Sequence, residues 1–154
     1  MTWDEYFLLL ATTASLKSKD PSTQVGAAIA RPDNTIVTLG YNGFPRGVAD
    51  TPERLNDRPT KYSLVVHAEV NAILSARESL NGYTMYCTLM PCDRCFVQMI
   101  QCGIKRVVFP QPTAEQYERW GDSFQRVYLL ARETGIELVE AYLENNDLQL
   151  RKLS

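Results

Sequence analysis

A single histidine occurs in the 154 residues, His67, and it stands in the string HAEVNAI two positions ahead of Glu69. A tight cysteine pair follows in PCDRC, formed by Pro91, Cys92 and Cys95. These residues constrain the fold more than any other feature, because one ion held by His67, Cys92 and Cys95 requires two separate stretches of chain to meet. Pro91 ahead of Cys92 reads as a helix start, so the two sulfurs, at i and i+3, face one side of its first turn. The partial positive charge and free N–H groups of a helix N-terminus favour thiolate over thiol. Two thiolates and one imidazole leave the fourth position of a tetrahedral Zn²⁺ ion open to water, which is the arrangement of a catalytic rather than a structural site.

Glu69 lies beside that ion without having to bind it. Zinc lowers the pKa of bound water towards about 7, and a neighbouring carboxylate can accept the proton and pass it on. Each feature also has a plainer reading. A lone histidine is commonly a surface or core polar residue, and a lone CxxC serves elsewhere as a redox pair or half of a structural zinc knot. A knot wants a fourth strong ligand, and the sequence has no second histidine. Cys87 and Cys102 read as small buried side chains, able to serve as ligands only if the geometry brought them to the ion.

The rest of the chain reads as an α/β protein. Thr2 and Glu5 have capping-box spacing, and the helix they start is expected to run to about Ser18. VGAAIA and TIVTLGYN are β-type runs separated by the turn formers of RPDN, which predicts an antiparallel hairpin. GFPRGVADTPERLNDRPT, rich in Gly, Pro and charge, reads as one long functional loop. A helix is expected from His67 to about Ser79, then a strand at YTMYCTL and a helix at CDRCFVQMIQC that stops at Gly103. KRVVFP gives a fourth strand, SFQRVYLLARETG a long helix closed by Gly135, and IELVEAYL a fifth strand. The expectation is a three-layer α/β/α fold, with a five-stranded mixed sheet between helices, in one domain covering residues 1–154.

The formal net charge of −2 gives no global attraction to nucleic acid, although a local basic groove is compatible with it. No apolar run approaches membrane-spanning length. The amphipathic, acid-bearing start carries no basic leader, so the expected address is the cytoplasm, or that of the host for a viral protein. In that setting four cysteines are better read as free thiols or metal ligands than as disulfides.

H-x-E followed by P-C-x-x-C, here His67, Glu69, Pro91, Cys92 and Cys95, is the signature of zinc deaminases. Across nearly its whole length the chain resembles the cytidine and deoxycytidylate (dCMP) deaminase superfamily. The narrower likeness to dCMP deaminases rests on KDPSTQVGAAI from Lys19, GYNGFPRG from Gly40, HAEVNAI from His67 and MYCTLMPCDRC from Met85. The resemblance implies hydrolytic deamination of dCMP to dUMP and ammonia, with Glu69 moving protons between water, N3 and the leaving amine. It also implies activation by dCTP, inhibition by dTTP, Mg²⁺ on the effector triphosphate, and a homohexamer.

By the same resemblance Asn42 contacts the substrate sugar, and Tyr41, Gly43 and Gly47 belong to the effector site. Read alone, GYNGFPRG is equally a plain turn. Lys19 and Arg46 are candidate phosphate contacts for the effector, although charged loop residues are more often simply solvated. Tyr117 occupies the position of a tyrosine that packs against the pyrimidine in similar enzymes; on its own it is as readily a surface or interface residue. Ser22 and Thr23 either bind the sugar or phosphate or cap the turn after Pro21. Ala68 and Pro91, inside the two zinc motifs, complete the expected substrate contacts. Rival readings are a deaminase of cytidine, guanine or dCTP, a deaminase of a base in tRNA or single-stranded DNA, and a non-catalytic zinc-stabilised module. A nucleic-acid substrate needs a basic, aromatic-lined path, which the acidic balance and the GYNGFPRG loop disfavour.

Overall fold

A computed structural model describes residues 1–153. Helix α1 (Trp3–Ser15) starts at the capping box, with Thr2 accepting from the Glu5 amide and the Glu5 carboxylate receiving the Thr2 amide. It ends earlier than expected because Leu16 to Ser18 leave the helix in a chain of tight turns. Strands β1 (Gly26–Ala30) and β2 (Ile36–Tyr41) form the predicted hairpin. The stretch read as a loop contains one short helix, α2 (Pro52–Asn56), and the start of another, α3 (Arg58–Leu64). Thr51 caps the first and Asp57 the second, each with a proline in the opening turn.

Helix α4 (Ala68–Ser75), strand β3 (Thr84–Cys87), helix α5 (Asp93–Gln101) and strand β4 (Arg106–Pro110) follow in the expected order. Helix α6 (Ala114–Thr134) begins well ahead of its predicted start, at a capping box of Thr113 and Gln116, and stops at Gly135. Strand β5 (Glu137–Glu144) is followed by β6 (Asp147–Lys152), so among the described residues the sheet has six strands rather than five. Asn145 and Asn146, both at positive φ, make the two-residue turn between them; this is the backbone geometry that matches hairpin twist.

The order across the sheet is β2-β1-β3-β4-β5-β6, parallel for β3, β4 and β5 and antiparallel at both flanks. Alternate residues of the strands face opposite layers. Ala28, Ala30, Tyr86, Val108 and Val139 meet Phe7 and Ala11 of α1. Ala27, Ile29, Met85, Val107, Phe109 and Leu138 pack in the core that holds Ala68 and Ala72 of α4, Phe96 and Met99 of α5, and Phe124, Val127 and Ala131 of α6. The result is the expected three-layer sandwich, with one helix on one face and three on the other. Two glycines permit the closest approaches: a Cβ on Gly26 would lie 1.9 Å from the Ala11 carbonyl oxygen, and one on Gly40 would lie 2.3 Å from that of Ala68. Among the described residues no helix is long and apolar enough to cross a membrane.

Candidate metal centre and catalytic cavity

His67 is the N-cap residue of α4 and Cys92 that of α5, and neither side chain caps its own helix. An N-cap side chain ordinarily turns back onto its first turn; these two instead turn towards each other. Cys95, buried inside the first turn of α5, completes the group. His67 Nδ1 lies 3.2 Å from Cys95 Sγ and 3.6 Å from Cys92 Sγ, and the ligand atoms of all three residues fall within 4.8 Å of one another. Ordinary Zn–N and Zn–S bonds at tetrahedral angles place nitrogen and sulfur about 3.5 Å apart. Distances and donor chemistry therefore both fit zinc. The first turn of α5 is fixed from α6, where Ser123 Oγ accepts from the Asp93 amide at 2.9 Å and Arg126 pairs with the Asp93 carboxylate at 2.6 Å.

The three side chains share protons unequally. A hydrogen bond with Cys95, supported by His67, brings the Cys92 thiol down to about 4. The contact with Cys92, together with burial, pushes Cys95 up, and the hydrogen bond with Cys92 raises His67. Glu69, one helical position beyond Ala68, is only 4% exposed. Burial raises its pKa against the effect of its contacts, which include Cys95. Cys87 is buried and held as a thiol by desolvation. Cys102 is half-buried at the far end of α5, with its sulfur near the Met99 carbonyl oxygen at 3.4 Å. Among the described residues the metal-type cluster consists of His67, Cys92 and Cys95.

His67, Glu69 and Cys92 line a cavity of about 530 Å³. Ala68, Val25 and Phe124 give it apolar surface, and Ser22, Thr23 and Asn42 give it polar surface. Asn42 is buried, and its amide already bridges backbone: Oδ1 accepts from Val25 N at 2.8 Å and Nδ2 donates to Thr23 O at 2.9 Å. It thereby shapes the turn bearing Ser22 and Thr23. Pro91 is buried behind Cys92 and is not among the lining residues. Tyr117 also lies outside the lining, with its ring edge-on to Phe124 at 5.6 Å and its hydroxyl 3.0 Å from that of Tyr128. Sequence reasoning missed Tyr62, Arg58, Arg119, Trp120 and Phe124, which also line the cavity. The capping boxes and caps that start α3 and α6 were the available signals for them.

A second, smaller cavity of about 140 Å³ is lined by Lys19, Tyr41 and Gly43 and shares Asp20, Asn42, Lys61 and Val65 with the first. Lys19 pairs there with Asp50 at 3.1 Å. Arg46 and Gly47 lie on an exposed turn outside its lining, with Gly47 at positive φ.

A three-layer α/β/α fold that sets a His–Cys–Cys zinc cluster beside a buried glutamate defines a zinc-binding deaminase domain. The family model described as the cytidine and deoxycytidylate deaminase zinc-binding region matches residues 1–111, and the chain belongs to that family. It is 40% identical over 136 residues to an uncharacterized deaminase of Aliivibrio fischeri, covering 88% of this chain and 91% of that protein. It is 45% identical over 115 residues to the deoxycytidylate deaminase of Mus musculus, covering 71% of this chain. The chain spans 65% of the length of that mouse relative. Among solved structures, the apo dCMP deaminase of the cyanophage S-TIM5 superposes with a TM-score of 0.65 at 25% identity, covering 89% of this chain and 94% of that one.

Proposed function

We propose that this chain deaminates dCMP, replacing the 4-amino group of the cytosine base with oxygen from water to give dUMP and ammonia. The observation that carries this reading is that buried Glu69 lines one cavity of about 530 Å³ together with His67 and Cys92. The likeness to deoxycytidylate deaminases supports the choice of substrate.

His67, Cys92 and Cys95 would hold the zinc ion, which when bound would acidify the water that attacks C4. Glu69 takes a proton from the attacking water on a carboxylate oxygen and delivers it to N3; it then takes the proton of the hydroxyl left on C4 and passes it to the departing amine, so that ammonia leaves as the C4 carbonyl forms. The C4–O bond forms first, making C4 tetrahedral, and the C4–N bond breaks afterwards, with no change of oxidation state. Proton delivery to N3 lets the ring accept electron density while C4 is tetrahedral. Ala68, Val25 and Phe124 surround the base with apolar contact, and Ser22, Thr23 and Asn42 meet the sugar.

The smaller cavity, with Lys19, Tyr41 and Gly43 in its wall, is the regulatory site for a triphosphate carrying Mg²⁺. There dCTP activates and dTTP inhibits, and Arg46 and Gly47 add contacts from the following turn. The four residues shared between the cavities give the coupling a physical route. The working enzyme is a cytoplasmic homohexamer whose dUMP supplies thymidylate synthesis.

The test is ammonia release from zinc-replete protein with dCMP, cytidine, dCTP or tRNA, each with and without Mg²⁺ plus dCTP or dTTP. Selective turnover of dCMP, raised by dCTP and suppressed by dTTP, is the expected outcome. Glu69→Ala should keep its zinc and lose turnover, whereas Cys92→Ala should lose both. Near wild-type turnover from Glu69→Ala would end the mechanism.

A further inference from the structure

The catalytic cavity is walled by three bases, Arg58, Lys61 and Arg119, and three acids besides, Asp20, Glu69 and Glu115. Their commitments differ. Lys61 is buried and paired with Asp20 at 3.3 Å. Glu69 is buried beside the metal ligands, and Glu115 is exposed on α6. Among the described residues neither Arg58 nor Arg119 forms an ion pair. Arg119 is nevertheless oriented: its Nη2 donates to Tyr62 Oη at 3.4 Å, and its guanidinium lies 5.1 Å from the centre of the Trp120 ring.

Two guanidinium groups without carboxylate partners therefore border the cavity that His67, Glu69 and Cys92 also line. They sit on two elements, α3 and α6, tied together by the Tyr62–Arg119 contact. A guanidinium presents a planar fork of donors that matches phosphate oxygens bidentately, and it stays charged throughout the physiological range. The lysine of this wall, already held by Asp20, is unsuited to the same task.

We propose that Arg58 and Arg119 together read the 5′-phosphate of the substrate and set the preference of this site for a nucleoside monophosphate over the free nucleoside. The assignment rests on the reading of the cavity as a dCMP site and adds the residues that decide that choice. A nucleoside lacking the phosphate leaves both arginines facing water. A monophosphate gains charge-assisted hydrogen bonds from each, worth about ten-fold or more in affinity per arginine. Discrimination thus lies on α3 and α6, elements other than the one that carries Glu69.

The experiment measures kcat/KM for dCMP and for deoxycytidine in the zinc-loaded wild type and in Arg58→Gln, Arg119→Gln and Arg119→Lys. Binding of dUMP and deoxyuridine to the same proteins is measured by calorimetry at low and high salt. Each Gln variant should lower the dCMP-to-deoxycytidine ratio about ten-fold, through KM rather than kcat, and should weaken dUMP in the same proportion. Arg119→Lys, which keeps the charge without the fork, should fall between wild type and Arg119→Gln. Zinc content equal to wild type establishes that each variant is folded. A wild type active on dCMP whose preference survives in both Gln variants overturns the assignment and leaves the deaminase reading standing. A wild type inert towards dCMP but binding dUMP through these arginines overturns the deamination reading and keeps the clamp. Absence of both activity and dUMP binding overturns the two together.

Discussion

Lys61 Nζ stands 3.3 Å from Asp20 Oδ1, with the two side chains only 7% and 11% exposed. The same Asp20 oxygen accepts from the amides of Ser22 and Thr23. The pair therefore pins α3 to the turn that walls the catalytic cavity. Removing one partner of a buried pair leaves the other charge uncompensated, at about 3–5 kcal/mol. Lys61→Met should lower stability by that order, and adding Asp20→Asn should recover part of it. Denaturant midpoints of the two variants check this; a single variant as stable as wild type would show that the pair holds nothing in place.

A second tie crosses the sheet from α1. The Asp4 carboxylate receives Tyr86 Oη at 2.6 Å and Arg106 Nη1 and Nη2 at 2.8 and 2.9 Å. The Arg106 hydrogen bonds, against the opposing effect of burial and with help from Tyr86, hold Asp4 below its ordinary value of 3.8. A carboxyl depressed in the folded state stabilises fully above its unfolded pKa, and the contribution fades as pH falls through the folded one. Asp4→Asn should thus cost about 1–3 kcal/mol at neutral pH. The gap to wild type should stay level down to about pH 5 and close below about pH 4. Unfolding curves over that range are the measurement, and a gap that widened in acid would reverse the assignment.

Gly40 leaves no room for a side chain: its Cβ would fall 2.3 Å from Ala68 O and 2.6 Å from Ala72 N, both backbone atoms of α4. Gly40→Ala should push α4 away from β2 and cost about 3 kcal/mol, the upper end of ordinary overpacking. Because α4 carries Glu69 and begins at His67, zinc content should fall as well. Elemental analysis of the purified variant, set beside its thermal midpoint, would expose a harmless substitution at once.

Zinc held by His67, Cys92 and Cys95 would join the starts of two helices and so contribute to folding. A ligand held at a thousand times its Kd adds about 4 kcal/mol, which for a chain of this size moves Tm by roughly 10 °C. A chelator should lower Tm by that order in wild type and equally in Glu69→Ala, whose ligands are intact. An unchanged Tm after verified metal loss would show that the helix starts are fixed without the ion.

The metal cluster was legible because its chemistry is local: His67, Cys92 and Cys95 announce themselves by type and spacing, and the fold had only to bring two helix starts together. The alternating strands were legible for the same reason. Strand β6 was not, because its weak pattern in DLQLRK carries little hydrophobic signal, although Asn145–Asn146 marked the hairpin turn. The two short helices hid in a stretch whose prolines read as loop, when Thr51 and Asp57 ahead of them were N-caps. The early start of α6 hid behind Thr113 and Gln116, and with it went Arg119, Trp120 and the cavity face of that helix. Roles that depend on distant partners stayed out of reach: nothing local to Asn42 says that its amide is occupied by Thr23 and Val25, and nothing local to Lys61 says that it is buried.

The residues proposed for the reaction lie at the starts of α4 and α5, whereas much of the cavity wall comes from α3, α6 and the turn before β1. This division separates two kinds of change. Alterations in the walls can retune which molecule enters while the proton-handling centre stays intact, so an engineer seeking a new nucleotide preference has a margin of residues to vary that the reaction itself does not touch.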